Sequence, residues 1–377
     1  MKITSIQGYV LSSPFSGTSY LGYQNRKYKN IGIIEIETDN NLKGFGETYA
    51  GVYCGELIPP IIDFLKSFII NKKIENTKDI KKITEGIFSI PFVGRTGLLS
   101  SISSGINIAL YDLLGKFCNL PVYKIISNNP KKKSKVYASN GSSTLTPQEI
   151  YKDVKIILDN GYDSYKMRIG LQNWKEDIKR IARARNLLDK NNLMLDAIMG
   201  TINPPWSIDI AKKNLEDIHV FDPYWIEEPL HPTNIEGMKK LNTKYKIAGG
   251  EALSNFFEFN VYKQNKCVTF IQPDVTHSGG YDVCKKIIKN FYPLKTALHV
   301  WGSALAFLAN LHLSLSTKVH ILEMPLMQLE IDKDILVEKI IMNNGFILAP
   351  QSPGLGINIS DNIKNKYSLM KNSNYAL

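Results

Sequence analysis

Three short apolar runs of this sequence end in a carboxylate, and one helix-length segment separates each run from the next. The three acids are Asp196, Glu227 and Glu251. If the runs are successive parallel strands of a barrel, their carboxyl ends converge on one face. Carboxylates that meet without a partner repel one another, so the pattern favours a bound cation. Oxygen-only ligands predict Mg2+, and Mn2+ would fit the same ligands.

These acids also have a structural interpretation. A strand-end acid can cap the following helix or pair with a lysine, and for any single acid this explanation has equal weight. Three acids in register on consecutive strands favour the metal site.

Other apolar runs also end in ionisable side chains. One run contains Lys166 and Arg168, which two-residue alternation places on the same side of a strand. Three later runs end in Asp274, His299 and Glu323. A strand-end histidine with a carboxylate on the preceding strand favours a general base over a histidine of the core.

The segments that must position these side chains alternate between strand and helix patterns, which predicts a parallel sheet and an α/β fold. Eight strands are expected, the number that closes a barrel. They are residues 136–139, 165–169, 193–198, 224–228, 247–251, 268–274, 296–300 and 320–323.

The chain is longer than one hydrophobic core usually allows, so a second domain is expected. Residues 1–130 are predicted to form a small α+β domain, with antiparallel strands before residue 50 and helices from 56 to 126. Residues 131–325 form the barrel. Residues 326–377 show little periodicity and are expected to return to the small domain.

Two loops of the small domain are candidates for substrate binding. Residues 12–30 are too many for a tight turn, and long ordered loops are often functional. The candidate contacts there are Tyr20, Tyr23 and Arg26, with a disordered surface loop as the alternative. The second loop, residues 49–55, carries the candidate Tyr53.

The chain has 46 basic and 35 acidic residues, a formal net charge of +11. We expect no nucleic-acid partner, because no motif interleaves the lysines with stacking aromatics. A solvated linker and steering of an anionic substrate explain the charge.

The cysteines and the apolar runs of the sequence indicate in which cellular compartment the protein is expected. The four cysteines lack close pairing and metal-ligand spacing, which predicts reduced thiols. The first residues start a strand without the apolar core of a signal peptide, and no run reaches the length of a membrane span. We therefore expect a cytoplasmic protein with no membrane partner.

Together these motifs resemble the enolase superfamily, specifically its mandelate racemase subgroup among the mandelate racemase/muconate lactonizing enzyme-like proteins. The resemblance rests on residues 104–112, the Lys166-Met167-Arg168 motif, the three carboxylates, the Asp274/His299 pair and Glu323. It implies a modified TIM barrel of (β/α)7β type under an N-terminal α+β capping domain that the C-terminal tail completes. It also implies a small-molecule carboxylate substrate and a homo-oligomer.

The resemblance implies a shared first step, in which a base removes the proton alpha to a carboxylate and Mg2+ stabilises the enediolate. The implied metal ligands are Asp196, Glu227 and Glu251. His299 is implied as the base, Asp274 as the residue that orients it, and Glu323 as a donor to a substrate carboxylate oxygen.

Two positions depart from the family pattern. Arg168 stands where racemase-like members have a lysine that acts as a second base, and a guanidinium stays protonated at ordinary pH. Lys166 keeps an electrostatic role toward the substrate carboxylate, so two-base racemisation is disfavoured. Ile198 stands where the family often has an asparagine, which predicts one hydrogen bond fewer.

With His299 as the single base, proton abstraction is expected to be followed by loss of water from an aldonate or aldarate. Residues 299–304, which include the candidate substrate contact Trp301, and residues 322–325 resemble acid-sugar dehydratases and sugar-lactone cycloisomerases. The alternatives are a sugar-lactone cycloisomerase, a 2-hydroxy-acid racemase or epimerase, and an inactive metal-binding homologue.

Overall fold

The computed structural model describes residues 1–15, 27–91, 93–171, 173–188, 192–327 and 329–370. The capping domain begins with a three-stranded antiparallel sheet in the order β1-β2-β3. Its strands are β1 Ile3–Pro14, β2 Tyr28–Thr38 and β3 Lys43–Thr48. The bounds predicted for the first loop, residues 12–30, are too wide, because pairing of β1 with β2 continues as far as Pro14 opposite Tyr28.

Helices cover this sheet. They are α1 Ala50–Cys54, α2 Ile58–Ile69, α3 Thr77–Phe88, α4 Gly97–Phe117 and α5 Val122–Ile126, with a 3-10 turn at Gly55–Leu57. The prediction of a loop over residues 49–55 is wrong, since α1 occupies most of it. Gly51 lets this helix pack its backbone against Gly32 of β2, where a β-carbon would clash.

Helix α4 is a core helix of the capping domain. By length and composition it could cross a membrane, but 89% of its most apolar window is buried inside the protein. On one side it packs against β3, where Gly46 allows an approach that a β-carbon would block by clashing with the Gly105 carbonyl. On another side Asn107 and Tyr111 both donate to Asp282 of the barrel. This helix therefore fixes the capping domain on the barrel.

Eight parallel strands form the barrel. They are β4 Lys133–Ser139, β5 Tyr165–Arg168, β6 Leu193–Asp196, β7 Trp225–Glu227, β8 Ile247–Gly249, β9 Phe270–Ile271, β10 Lys295–Leu298 and β11 Ile321–Pro325. β11 pairs with β4, with Leu322 beside Val136, and so closes the sheet. The connecting helices are α6 Pro147–Asp159, α7 Trp174–Arg185, α8 Ile208–His219, α9 Ile235–Asn242, α10 Phe256–Gln264, α11 Gly280–Phe291 and α12 Ala304–Ser316. The predicted α/β fold with a (β/α)7β barrel is confirmed, although β9 is shorter than predicted.

One layer of side chains fills the barrel interior: Tyr137, Met194, Trp225, Ala248, Phe270, Ala297 and Ile321. Side chains alternate along a strand, so a residue two positions later points to the same interior, nearer the carboxyl end. The residues two positions after Met194, Trp225, Ala297 and Ile321 are Asp196, Glu227, His299 and Glu323, respectively. The apolar layer thus forms the floor beneath the ionisable side chains.

The segment after the barrel contains α13 Glu330–Ile335, β12 Met342–Asn343, β13 Phe346–Leu348 and α14 Asp361–Lys366. β13 pairs antiparallel with β4, so this part extends the barrel sheet. α14 lies on the capping domain, where Lys364 Nζ is 2.7 Å from Glu35 Oε2. The described part of the segment therefore contacts both domains, and the boundaries at residues 130 and 325 stay predictions.

Side-chain hydrogen bonds cap the N-terminus of α6. Thr146 Oγ1 accepts from the Glu149 N–H and the Glu149 carboxylate accepts from the Thr146 N–H, a capping box with Pro147 in the first turn. Because Thr146→Ala removes one acceptor of the helix N-terminus, we expect it to lower the free energy of unfolding by about 1 kcal/mol. Urea denaturation measures the loss. Lys155→Ala, on the exposed face of the same helix, is the control, and equal losses in both variants would contradict the capping role.

Candidate active site

Lys166 lies at the centre of a group of acids at the carboxyl end of the barrel. Its Nζ is 2.6 Å from Glu227 Oε1, 2.9 Å from Glu323 Oε1 and 3.4 Å from Asp196 Oδ2. All four side chains are buried. Burial disfavours the ammonium, but Glu227 and Glu323 outweigh it and raise the pKa of Lys166 well above its usual value. Lys166 is therefore a fixed positive charge.

His299 and Asp274 form a buried pair beside this group. His299 Nδ1 is 2.9 Å from Asp274 Oδ2, while Asp274 Oδ1 accepts from Thr276 and from Asn310 Nδ2. Burial alone would raise the pKa of Asp274, but the hydrogen bond from His299 reverses this effect and lowers it. Because an ionised Asp274 accepts a hydrogen bond from the Nδ1–H, the neutral ring carries its proton on Nδ1 and keeps the Nε2 lone pair free.

His299 Nε2 faces Glu251, whose Oε2 is 3.7 Å away. Burial opposes the charged imidazolium, but Glu251 and Asp274 outweigh it and raise the pKa of His299 to about 10. Burial also raises the pKa of Glu251, despite the opposing charge of His299. With these charges alone His299 is protonated at neutral pH, so a base at this position needs a further positive charge near Glu251.

Glu323 is the acid most strongly ionised in this group. Burial would raise its pKa, but Lys166 and His299 lower it to about 2. Its Oε2 also accepts from the Val300 N–H at 3.0 Å. The role predicted for Glu323, donation to a substrate carboxylate, requires it to gain a proton first.

The structure places some predicted substrate contacts near this group and not others. The Trp301 ring lies 4.8 Å from Arg168 Cζ, so these two predicted site residues are in contact. Tyr53 lies on α1, with its ring 5.9 Å from that of Tyr49. The predicted contacts Tyr20, Tyr23 and Arg26 fall outside the described residues.

Comparison with known families agrees with this arrangement. The family model described as "Enolase C-terminal domain-like" matches residues 149–363. The chain belongs to the enolase superfamily. The model for the mandelate racemase / muconate lactonizing enzyme N-terminal domain matches residues 17–127, so both domains of the superfamily fold are present.

Several enolase superfamily relatives cover most of the chain. L-talarate/galactarate dehydratase of Salmonella typhimurium is 29% identical over 93% of this chain and 86% of its own length. The crystal structure of a 3,6-anhydro-D-galactonate cycloisomerase from Zobellia galactanivorans is similar with a TM-score of 0.84, 25% identity, and coverage of 97% of this chain and 99% of that one. A racemase from Streptomyces coelicolor with bound magnesium has a TM-score of 0.84, 23% identity and coverage of 97% and 100%.

The three predicted metal ligands of this superfamily member fit a cation by their chemistry, although two of them contact Lys166. Within the described ranges no three His, Cys, Asp or Glu side chains form a group ready to hold an ion, and Lys166 contacts both Asp196 and Glu227. The donor chemistry nevertheless fits a hard divalent cation. Asp196 and Glu227 end consecutive strands and Glu251 lies two residues after the next one, and burial raises the pKa of all three. Lys166 and His299 therefore do not fully offset burial for these acids, and a cation would supply further positive charge.

Three residues close to these side chains were missed by sequence reasoning. Glu228 is buried, its Oε1 has no hydrogen-bond partner among the described residues, and burial raises its pKa well above the usual value. Gln272 is also buried, with both amide atoms unpartnered within the part of the chain that the structure describes. Tyr49 lies with its ring 6.0 Å from that of His299. Alternation from Phe270 would have found Gln272, whereas the position of Tyr49 depends on the contact between domains.

Proposed function

We propose that this chain is an acid-sugar dehydratase, a carbon–oxygen lyase that acts on an aldonate or aldarate. The observation that carries the proposal is the His299–Asp274 pair, with its Nε2 facing the acids at the carboxyl end of the barrel. The Salmonella relative, an L-talarate/galactarate dehydratase, supports the same reaction class.

In this mechanism the neutral His299 ring takes the proton alpha to the substrate carboxylate at Nε2. The electrons of the C–H bond form a C=C bond while the bond to the β-hydroxyl breaks, and His299 returns its proton to the departing hydroxide as water. The enol product tautomerises to a 2-keto acid. Asp274 holds the Nδ1 proton and thereby orients the ring.

Two cations of the site would bind carboxylate groups of the substrate. Lys166 is fixed among three carboxylates, and its raised pKa leaves it no role as a base. Arg168 stays protonated and suits bidentate binding of a carboxylate. A single base therefore remains, which favours elimination over racemisation.

Asp196, Glu227 and Glu251 would hold Mg2+, or Mn2+ in its place. When bound, the ion supplies positive charge that makes an alpha proton beside a carboxylate acidic enough for a histidine. The magnesium of the Streptomyces racemase supports this assignment.

A second candidate is a sugar-lactone cycloisomerase, in which elimination within a ring uses the same base. The similarity to the Zobellia cycloisomerase favours it. An epimerase would need a second base, which Arg168 does not provide. A homo-oligomeric state, a cytoplasmic location, and the lack of nucleic-acid and membrane partners stay predictions.

Turnover of aldonates, aldarates and lactones with Mg2+ in D2O tests the proposal. NMR detects deuterium at the alpha carbon, and a colour assay detects the 2-keto acid. Keto acid from one configuration only is the expected result. A product that is an isomer of the supplied lactone would establish the cycloisomerase. Deuterium exchange from both epimers without elimination would overturn the single-base mechanism. Mg2+ binding without exchange on any substrate would favour the inactive homologue.

The raised pKa of His299 gives a test that does not depend on turnover. Mg2+ beside Glu251 should cancel the negative charge that raises this pKa, so the midpoint should fall from about 10 toward neutral pH. NMR titration of the His299 ring, with and without Mg2+, measures the change. His320, at the opposite end of the barrel, provides the internal control. An unchanged His299 midpoint at saturating Mg2+ would contradict the predicted metal ligands.

A further inference from the structure

Lys29 is a buried basic side chain that the chemistry described above does not use. It is the second residue of β2, has no exposed surface, and its Nζ makes no hydrogen bond within the described ranges. Lys166, which is equally buried, has three carboxylates around it. A buried charge without a partner is rare and calls for an explanation, because burial removes the water that would otherwise solvate it.

The two acids with the largest effect on the pKa of Lys29, Glu47 and Asp332, already accept hydrogen bonds from other groups. Glu47 accepts from the Ser303 hydroxyl at 2.5 Å and from the Ala306 N–H at 3.1 Å, and Asp332 accepts from the Ala304 N–H at 2.7 Å. Both carboxylates thus cap the N-terminus of α12. Burial lowers the pKa of Lys29 to about 7, and Glu47 and Asp332 only partly oppose this effect. Within the described ranges these acids therefore leave Lys29 only partly protonated near neutral pH, and an anion bound beside it would favour the ammonium form.

The position of Lys29 relates it to the active site. Its Nζ is 4.2 Å from the centre of the Trp301 ring, and Arg168 Cζ is 4.8 Å from the same ring. Trp301 follows His299 by two residues. Two basic side chains thus contact one indole close to the catalytic histidine, and an anion at this place would lie near both of them.

We infer that Lys29, beside Trp301 and Arg168, binds a second carboxylate of the substrate, so that the preferred acid sugar is a dicarboxylate, an aldarate. One carboxylate lies near Lys166 and the base, and the other lies at Lys29. An aldonate presents a neutral hydroxymethyl group at that end and leaves the ammonium unpaired. This inference rests on the proposed dehydratase function for the identity of the substrate, but the anion site can be tested without turnover.

The binding test uses adipate, a six-carbon dicarboxylate without a β-hydroxyl, and hexanoate, its monocarboxylate counterpart. Calorimetry with Mg2+ is expected to show that adipate binds the protein at least about tenfold more tightly than hexanoate, since charge-assisted contacts to a buried ammonium are strong. Lys29→Met, which keeps the length of the side chain and removes its charge, should abolish this preference, and Lys29→Arg should restore part of it. Lys27→Met, the same change at an exposed position two residues earlier, should have no effect.

The activity test compares aldarates with aldonates of the same configuration. The ratio of their kcat/KM values should favour aldarates and fall about tenfold or more in Lys29→Met, through KM. Equal binding of adipate and hexanoate, or a preference unaffected by Lys29→Met, would overturn the inference. Turnover of aldonates alone would overturn it and leave the dehydratase proposal standing. Lys29-dependent adipate binding without turnover of any acid sugar would support the anion site and overturn the dehydratase proposal.

Discussion

Replacement of His299 by asparagine should lower kcat by about 10²- to 10⁴-fold, the range that a positioned general base contributes. Neither neighbouring cation can replace the base, because Lys166 is held as a cation by three carboxylates and Arg168 cannot lose its proton at ordinary pH. Keto-acid formation and deuterium exchange at the alpha carbon should be lost together, since both require removal of the same proton. Steady-state kinetics and NMR in D2O measure the two effects.

The control for this prediction is His320→Asn, the same change at the opposite end of the barrel, which should retain activity. Asparagine at position 299 keeps a donor toward Asp274, so the variant is expected to fold. Asp274→Asn should also lower kcat strongly, because an amide at this position no longer fixes the Nδ1 proton. Retained exchange in His299→Asn would reveal a different base and refute the mechanism.

Substitution of Asp112 by alanine should lower the free energy of unfolding by about 3 kcal/mol or more. The buried carboxylate of this α4 residue accepts from its own helix and from two other parts of the fold. Its Oδ2 accepts from the Phe45 N–H of β3 at 2.9 Å and from Lys116 Nζ at 2.7 Å, and its Oδ1 accepts from the Leu355 N–H at 2.7 Å. Alanine would leave buried backbone donors without an acceptor. The loss is a large fraction of a typical domain stability.

Urea denaturation measures this loss, and two variants make the result specific. Asp112→Asn keeps one acceptor oxygen and should cost less than Asp112→Ala. Asp63→Ala removes an exposed acid that pairs with Lys66 on α2 and should change stability by less than about 0.5 kcal/mol. A loss below about 1 kcal/mol in Asp112→Ala would show that the C-terminal segment is held to the capping domain by other contacts.

Arg168 bears on both the reaction type and the substrate that we propose. Its permanent charge removes a second base from the site. Its contact with Trp301 also places it beside Lys29, on the capping-domain side of the barrel. The same substitution that disfavours racemisation therefore adds positive charge where a second carboxylate of the substrate would lie.

Local pattern was sufficient to predict the barrel and the residues at its carboxyl end. Two-residue alternation and apolar runs identify buried strands, and the strict order of strand and helix in a parallel barrel brings the ends of all strands to one face. For this reason Asp196, Glu227, His299 and Glu323 could be predicted to share a site without knowledge of any contact. The predicted strand bounds were less accurate, as the two-residue β9 shows.

Only the tertiary structure revealed the contacts between residues that are distant in sequence. Lys29 in β2 meets Trp301, Glu47 meets Ser303 and Asp112 meets Leu355, and no periodic pattern connects such pairs. Whether a buried charge is neutralised depends on all side chains packed around it, which come from both domains. The sequence by itself therefore determined the fold and the types of residue at the site, while the packing of the capping domain on the barrel decided which of their charges are paired.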